Sequence, residues 1–309
     1  MGERPSGVRR TITAEKVPYY PIDEAWSSPS VEVAREEYLV NENHHPAAIL
    51  VGIDGSDTAI GAAQWAVDEA MFRSVPLRLL YVIRTPDRSS ADAYAREVDR
   101  AKASLRTAQA AVEANSQPVK VETAILEGPP GAALIDESHG AEMICVGTVG
   151  IGQYARSILG STAAELAENA HCPVAVIRQP EFGPSNRISW IVVAATARPD
   201  QDPVLEVAMQ EARIRDTPVL LLGTKPRPVD ATENALDREV RKWRQRYPDV
   251  RIYPIANRAD VARFVKRHDE PVSLAVVGAS DADNLAVIIG RHGHPGHHYT
   301  VSSALVVRH

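Results

Sequence analysis

From residue 47 onward, short apolar runs alternate with longer stretches in which apolar residues recur every three or four positions. Ala48 to Asp54 (AILVGID) is an apolar run ending in an acid and a glycine, which predicts a buried parallel strand. Ser56 or Asp57 suits the cap of the next helix, where Ala59, Ala62, Ala66 and Ala70 recur at helical spacing. Leu77 to Ile83 reads as a second strand. Tyr94, Val98, Ala101, Leu105, Ala108 and Val112 then form one continuous stripe along a long helix. Val119 to Leu126 predicts a third strand, followed by Gly128-Pro129-Pro130-Gly131 and a short helix through Ile135. Met143 to Val146 makes a fourth strand, Thr162 to Ala170 a helix, and Val174 to Ile177 a fifth strand.

Strand and helix in strict alternation force parallel pairing with right-handed crossovers. Gln179 to Arg187 (QPEFGPSNR) is a linker by composition, and after it the whole order repeats. Ile191 to Ala195, Val219 to Leu222, Val250 to Ile255, Leu274 to Val277 and Leu305 to Val307 match the five strands. Pro203 to Ile214 matches the first helix, and Leu236, Val240, Trp243 and Tyr247 stripe the long one. The repeat, of roughly 125 residues, is a duplicated domain rather than a short-period solenoid. The expected fold is α/β: two tandem open parallel-sheet domains, 47–180 and 187–309, each with five strands and helices on both faces. Residues 1–46 show neither period and carry five prolines. They read as an extension, flexible or draped over the first domain, with a short helix conceivable at Val31 to Leu39.

Composition narrows the function. Aromatics are only 5%, so the cores rest on Ala, Val, Ile and Leu. Lys plus Arg total 34 against 40 Asp plus Glu, a formal charge of −6 that argues against duplex nucleic acid as the main partner. Cys145 and Cys172 sit in or beside apolar runs and read as buried reduced thiols. The opening MGERPSGVRR lacks the apolar core of a secretory signal, and no stretch has the length of a membrane span. The expected location is the cytoplasm.

The chemistry concentrates in Val146 to Ser161 (VGTVGIGQYARSILGS). Gly147 and Gly150 follow the fourth strand, and nine residues later Gly160 and Ser161 open the last helix. Glycines let a ligand approach the backbone, and free N–H groups at a helix start favour an anion such as phosphate. The loop falls at the carboxyl edge of a parallel sheet, where α/β folds bind ligands.

With this spacing the chain resembles the universal stress protein family, specifically its ATP-binding branch. VGIDGSDTA (Val51 to Ala59), AAQWAVDEA (Ala62 to Ala70) and HCPVAVIR (His171 to Arg178) carry the same resemblance. It covers residues 47 to 180 closely and 187 to 309 loosely. It implies a Rossmann-like fold of the adenine nucleotide alpha hydrolase type and a site for ATP, with Mg2+ accompanying the phosphates. Asp54 would then contact the adenosine part, Val82 would offer backbone groups to the adenine, and Gly128 would line the ribose. Gly147 and Gly150 would pass close to ribose and phosphates, which Gly160, Ser161 and Thr162 would hold. Each position has a plainer role: Asp54 as a turn cap, Gly128 as a turn former, Ser161 as a helix cap and Val82 as core. The resemblance also implies pairing through the fifth strands, Val174 to Ile177 and Leu305 to Val307. That pairing would form an internal pseudo-dimer, and such an edge also suits a homodimer.

The second repeat departs from the pattern. Ala194-Ala195-Thr196-Ala197-Arg198 lacks the acid of GIDGSD, and Asp281 stands where the second glycine belongs. Gly290 comes one residue early and is followed by Arg291, so nucleotide binding is expected to be lost there. His292, His294, His297 and His298 read as a His-rich loop, with metal binding as the alternative. The leading function is an ATP-binding regulatory protein whose second domain serves structure or the docking of a protein partner. The alternatives are a nucleotide-independent interaction protein and a slow ATPase. Catalysis needs a base or water-positioning group beside the phosphates, and no such signature, Walker lysine included, is present; Arg156 in the loop could only neutralise charge.

Overall fold

The computed structural model describes residues 47–84, 91–114, 118–148, 159–178, 188–196, 201–223, 235–256, 259–268, 270–290 and 302–308. The expectations for residues 1–46, Gly150, Arg156, the linker 179–187 and the four histidines at 292–298 lie outside the described residues.

The first half runs β1 (Ile49–Ile53), α1 (Asp57–Arg73), β2 (Leu77–Ile83), α2 (Ala91–Glu113), β3 (Val121–Glu127), α3 (Pro130–Glu137), β4 (Met143–Gly147), α4 (Ser161–Asn169) and β5 (Val174–Ile177). The second half repeats it as β6 (Trp190–Ala194), α5 (Gln201–Ile214), β7 (Val219–Gly223), α6 (Ala235–Arg246), β8 (Ile252–Ala256), α7 (Val261–Arg267), β9 (Val272–Gly278), α8 (Leu285–Ile288) and β10 (Ser303–Val307). A 3-10 turn, Ala279–Asn284, joins β9 to α8. The α/β class is as expected, and the helix stripes are the buried faces: Ala59, Ala62, Ala66 and Ala70 on α1, Leu236, Val240 and Trp243 on α6.

All ten strands form one sheet in the order β3-β2-β1-β4-β5-β10-β9-β6-β7-β8. Every pairing is parallel except β5 with β10, where Ala304 faces Val176, Leu305 faces Ala175 and Val306 faces Val174. Within each half the order is that of a Rossmann-like sheet, reversing direction between first and fourth strands. The fifth strands thus join the halves inside one chain, as the pseudo-dimer expectation had it. The expected homodimer through those same strands is corrected by the same register. β5 lies between β4 and β10, and β10 between β5 and β9, so neither keeps an open edge for a second copy.

Four sets of contacts reinforce the junction. On one face Arg178, which follows β5, donates to the Ile289 carbonyl beyond α8, and Arg308, which follows β10, donates to the Ala167 carbonyl in α4. One buried cluster continues across both halves on that side, from Leu134 and Leu166 to Phe264, Leu285 and Val306. On the other face α1 and α5 bring together Glu69, Arg73, Glu211 and Arg215. Both glutamates are fully buried.

Candidate functional site

The site of the first half is assembled at the carboxyl ends of β1, β2, β3 and β4. After β1 the chain turns through Gly55, whose φ of 85° lies in the left-handed region that glycine adopts without strain. Asp54 Oδ1 accepts from the Ser56 N–H (3.0 Å) and from Ser56 Oγ (2.6 Å), and Ser56 Oγ caps α1 by accepting from the Ala59 N–H at 3.2 Å. Ser56 Oγ also lies 3.1 Å from Thr58 Oγ1. Asp54 therefore holds the turn between β1 and α1, the plainer of its two roles.

Gly147, the last residue of β4, sits directly against this turn. A Cβ there would come within 2.7 Å of Thr58 Oγ1 and 2.8 Å of the Thr58 carbonyl carbon, so the position admits no side chain. The loop that follows is closed at its base, because the Gly160 N–H donates to the Thr148 carbonyl at 2.7 Å. Thr148 is buried and its own N–H donates to Ile177 O at 3.1 Å, which ties the loop to β5. Gly160 is the N-cap of α4, with φ −73° and ψ 155°, and among the described residues no side chain caps that helix. A glycine cap offers the first-turn N–H groups at Ser161 and Thr162 no side-chain acceptor, and the helix dipole adds partial positive charge there.

Between α3 and α4 lies an open cleft of about 550 Å³, lined by Arg84, Gly128, Pro129, Ser161, Thr162 and Glu165 among others. Gly128 has φ 130°, a conformation that disfavours any side chain, and its N–H donates to the Ile83 carbonyl at 2.9 Å. Gly131 lets the helices close up, since a Cβ there would overlap the Glu165 carboxylate. Of the expected residues, the structure brings Gly128, Ser161 and Thr162 into this cleft. Asp54, Gly147 and Gly160 stand behind it as the framework. Val82 is half-buried at the end of β2, one residue past the pairing with β1, which stops at Ile53 with Tyr81. Arg84 and Glu165 were not foreseen. Arg84 follows the last residue of a predicted strand, and that position alone could have flagged it as cleft-facing.

Cys145 and Cys172 are buried free thiols, and burial above all pushes Cys145 well above the ordinary thiol range and Cys172 to about 12. At neutral pH both are protonated and unreactive. Among the described residues no group of three His, Cys, Asp or Glu is placed to hold a metal ion. No described helix is long and apolar enough to cross a membrane.

A Rossmann-like sheet with a cleft at its carboxyl edge, beside the glycine-opened start of α4, defines a doubly wound α/β protein. The chain itself belongs to the universal stress protein family. That family's pattern matches residues 47–178. A universal stress protein of Mycobacterium tuberculosis is 52% identical over 261 residues, covering 84% of this chain and 96% of its own. A second from the same organism is 39% identical over 260 residues, with 82% and 93% covered. Among solved structures, a universal stress protein from Archaeoglobus fulgidus superimposes with a TM-score of 0.62 at 15% identity, over 87% of this chain and 98% of that one, a likeness of fold alone.

Proposed function

We propose that the first half binds an adenine nucleotide, ATP with Mg2+, and that the chain is a regulatory protein whose state follows nucleotide occupancy. The carrying observation is the start of α4. Gly160 supplies no side-chain cap, so the N–H groups at Ser161 and Thr162 are left for an anion, and Thr162 adds a hydroxyl. Gly147, Gly128 and the turn held by Asp54 give the backbone approach that a nucleoside needs, and Arg84 adds a cation within the same cleft. Gly150 completes the glycine pattern in sequence. Glu165, an acid lining the cleft, opposes a bare phosphate and tolerates one bridged by a divalent cation. With no ready-made metal cluster among the described residues, Mg2+ would be held mainly by phosphate oxygens and water. The second half keeps Gly278 but lacks the acid and the second glycine and has Gly290 one residue early, and it serves as structure and as the docking half for a protein partner.

The test is to purify the full chain without added nucleotide, denature it, and quantify the released nucleotide by chromatography, alongside Gly160→Asp. Aspartate is a favoured N-cap, so the variant keeps the helix while placing a carboxylate in the phosphate position. One adenine nucleotide per chain, absent from the variant, is the expected result. No released nucleotide and no heat of ATP binding in titration calorimetry would sink the reading.

A further inference from the structure

Where α1 meets α5, on the face of the sheet away from α3 and α4, the two halves touch through a buried cluster of charges that neither cleft uses. Glu-Ala followed two residues later by Arg occurs once in each repeat, as Glu69-Ala70 with Arg73 and as Glu211-Ala212 with Arg215. Antiparallel pairing of β5 with β10 relates the halves by an approximate two-fold, and the two copies of the pattern meet across it. Glu69 accepts from Arg73 of its own helix and from Arg215 of the other, while Arg215 Nε lies 3.1 Å from Glu211. Both glutamates are fully buried. The Arg215 guanidinium lies 3.8 Å above the Trp65 ring and reaches Asp68, a half-exposed acid, at 3.4 Å.

The charges in this seam do not balance. Two arginines, Arg73 and Arg215, face three carboxylates, Glu69, Glu211 and Asp68. A dry site holds a net charge only at a cost, and one proton brings the sum to zero. A hydrogen bond joins the Glu69 and Glu211 carboxyls, and one of the two must carry a proton to make it. Carboxyls this close titrate as a pair. Burial and the Glu69 charge retain the proton up to about 8, against the pull of Arg215 and Arg73. The strands beneath, β1, β4, β5, β6, β9 and β10, add a single titratable side chain, the Cys145 thiol, which burial keeps neutral. Of the other charges on α1 and α5, Asp57 lies at the far end of α1. Asp202, Glu206 and Arg213 pair with Lys242, Arg246 and Asp249.

We propose that Glu69 and Glu211 share one proton that clasps α1 to α5, and that its release opens this seam while the β5–β10 pairing holds. With the clasp closed, the first helices of the two halves move as one body. With it open, water enters between them, Arg215 leaves the Trp65 ring, and the halves stay joined through the sheet and its opposite face. The clasp needs no ligand in either cleft.

The experiment follows backbone hydrogen exchange of the full chain by mass spectrometry from about pH 6 to above about 8, corrected for the intrinsic pH dependence of exchange. The native chain is compared with Glu211→Gln and Asp68→Asn. In the native chain, protection of the last turns of α1 and α5 should fall about tenfold per pH unit and level off near 8, as an opening that releases one proton requires. It should fall further than protection of β4 and β9. Glu211→Gln keeps a hydrogen bond to Glu69 with no proton to lose, and should hold the seam protected throughout. Asp68→Asn removes one carboxylate at a half-exposed position and should move the levelling point to lower pH. Seam protection that is independent of pH in the native chain, or that falls no further than that of the strands, overturns the proposal. So does a Glu211→Gln chain that opens as the native one does. Should Glu211→Gln fail to fold, Asp68→Asn decides, because a levelling point that stays in place or rises is incompatible with the clasp.

Discussion

At the residue scale, the most consequential side chains are charges the helix pattern leaves out. Glu69 and Arg73 are spaced i, i+4 on α1, and Glu211 and Arg215 have the same spacing at the matching turn of α5. Arg215 reaches across to Glu69 and lies 3.8 Å above the Trp65 ring. Burial, and next the Glu69 carboxyl, push the Glu211 carboxyl up to about 8. A side-chain hydrogen bond with Glu69 raises it further, while Arg215 and Arg73 pull it down. The unfolded chain titrates this group near 4.5, so between that value and about 8 the folded state holds a proton that the unfolded state has released. Stability from this group is full below the unfolded value and is lost as pH rises through about 8. Glu211→Gln, which imitates the protonated form, should flatten that loss and stabilise the chain above about pH 8 in urea unfolding. Equal losses in both proteins across that window would refute the assignment. Gly147→Ala tests the framework instead. With 2.7 Å to Thr58 Oγ1 and backbone just behind it, one methyl should cost about 1–3 kcal/mol in denaturant unfolding.

At the element scale, nearly every strand and helix was legible, because buried parallel strands are continuous apolar runs and the helices carry single stripes. The ends moved by one to three residues: β3 is Val121–Glu127 against an expected 119–126, and β9 starts at Val272 rather than 274. Around the cleft, the spacing of Gly147, Gly160 and Ser161 placed the end of β4 and the start of α4, while Gly150 lies outside the described residues. Arg84 and Glu165 were not legible, since a cleft brings together residues from β2, α3 and α4 that share no sequence interval. Glu69 and Glu211 were missed for a different reason: a charged residue inside a helix reads as solvent-facing until another helix covers it. Their signal was the recurrence of Glu-Ala-x-x-Arg at the same place in both repeats. The reciprocal arginines follow the same logic, each terminating a fifth strand and capping the other half's last helix. Arg178→Ala removes a charged donor and leaves the Ile289 carbonyl without it. A loss of about 1–3 kcal/mol in unfolding free energy is expected, and a loss near zero would show that water replaces the contact fully.

At the scale of the whole molecule, the decisive fact is that two domain-sized repeats share one sheet. The outer edges left to the sheet are β3, with charged Glu122 and Glu127, and β8, interrupted by Pro254, which offers no N–H donor. Charge and proline on edge strands resist pairing with another chain. Continuity through β5 and β10, the buried Glu69–Arg215–Glu211 contact and the shared cluster couple the halves with interactions as dry as those within each. A chain built this way should unfold as one unit, with calorimetric and van't Hoff enthalpies equal for the full transition. A ligand held only by the first half should then protect the second as well, because binding stabilises whatever unfolds together with its site. Hydrogen exchange with and without ATP reads this directly: amides of β6, β7 and β9, which touch no part of the first-half cleft, should slow as much as those of β1 and β4. Slowing confined to β1–β5 would mean that the junction holds the halves in place without joining their stability, and nucleotide occupancy could not then be signalled through the sheet.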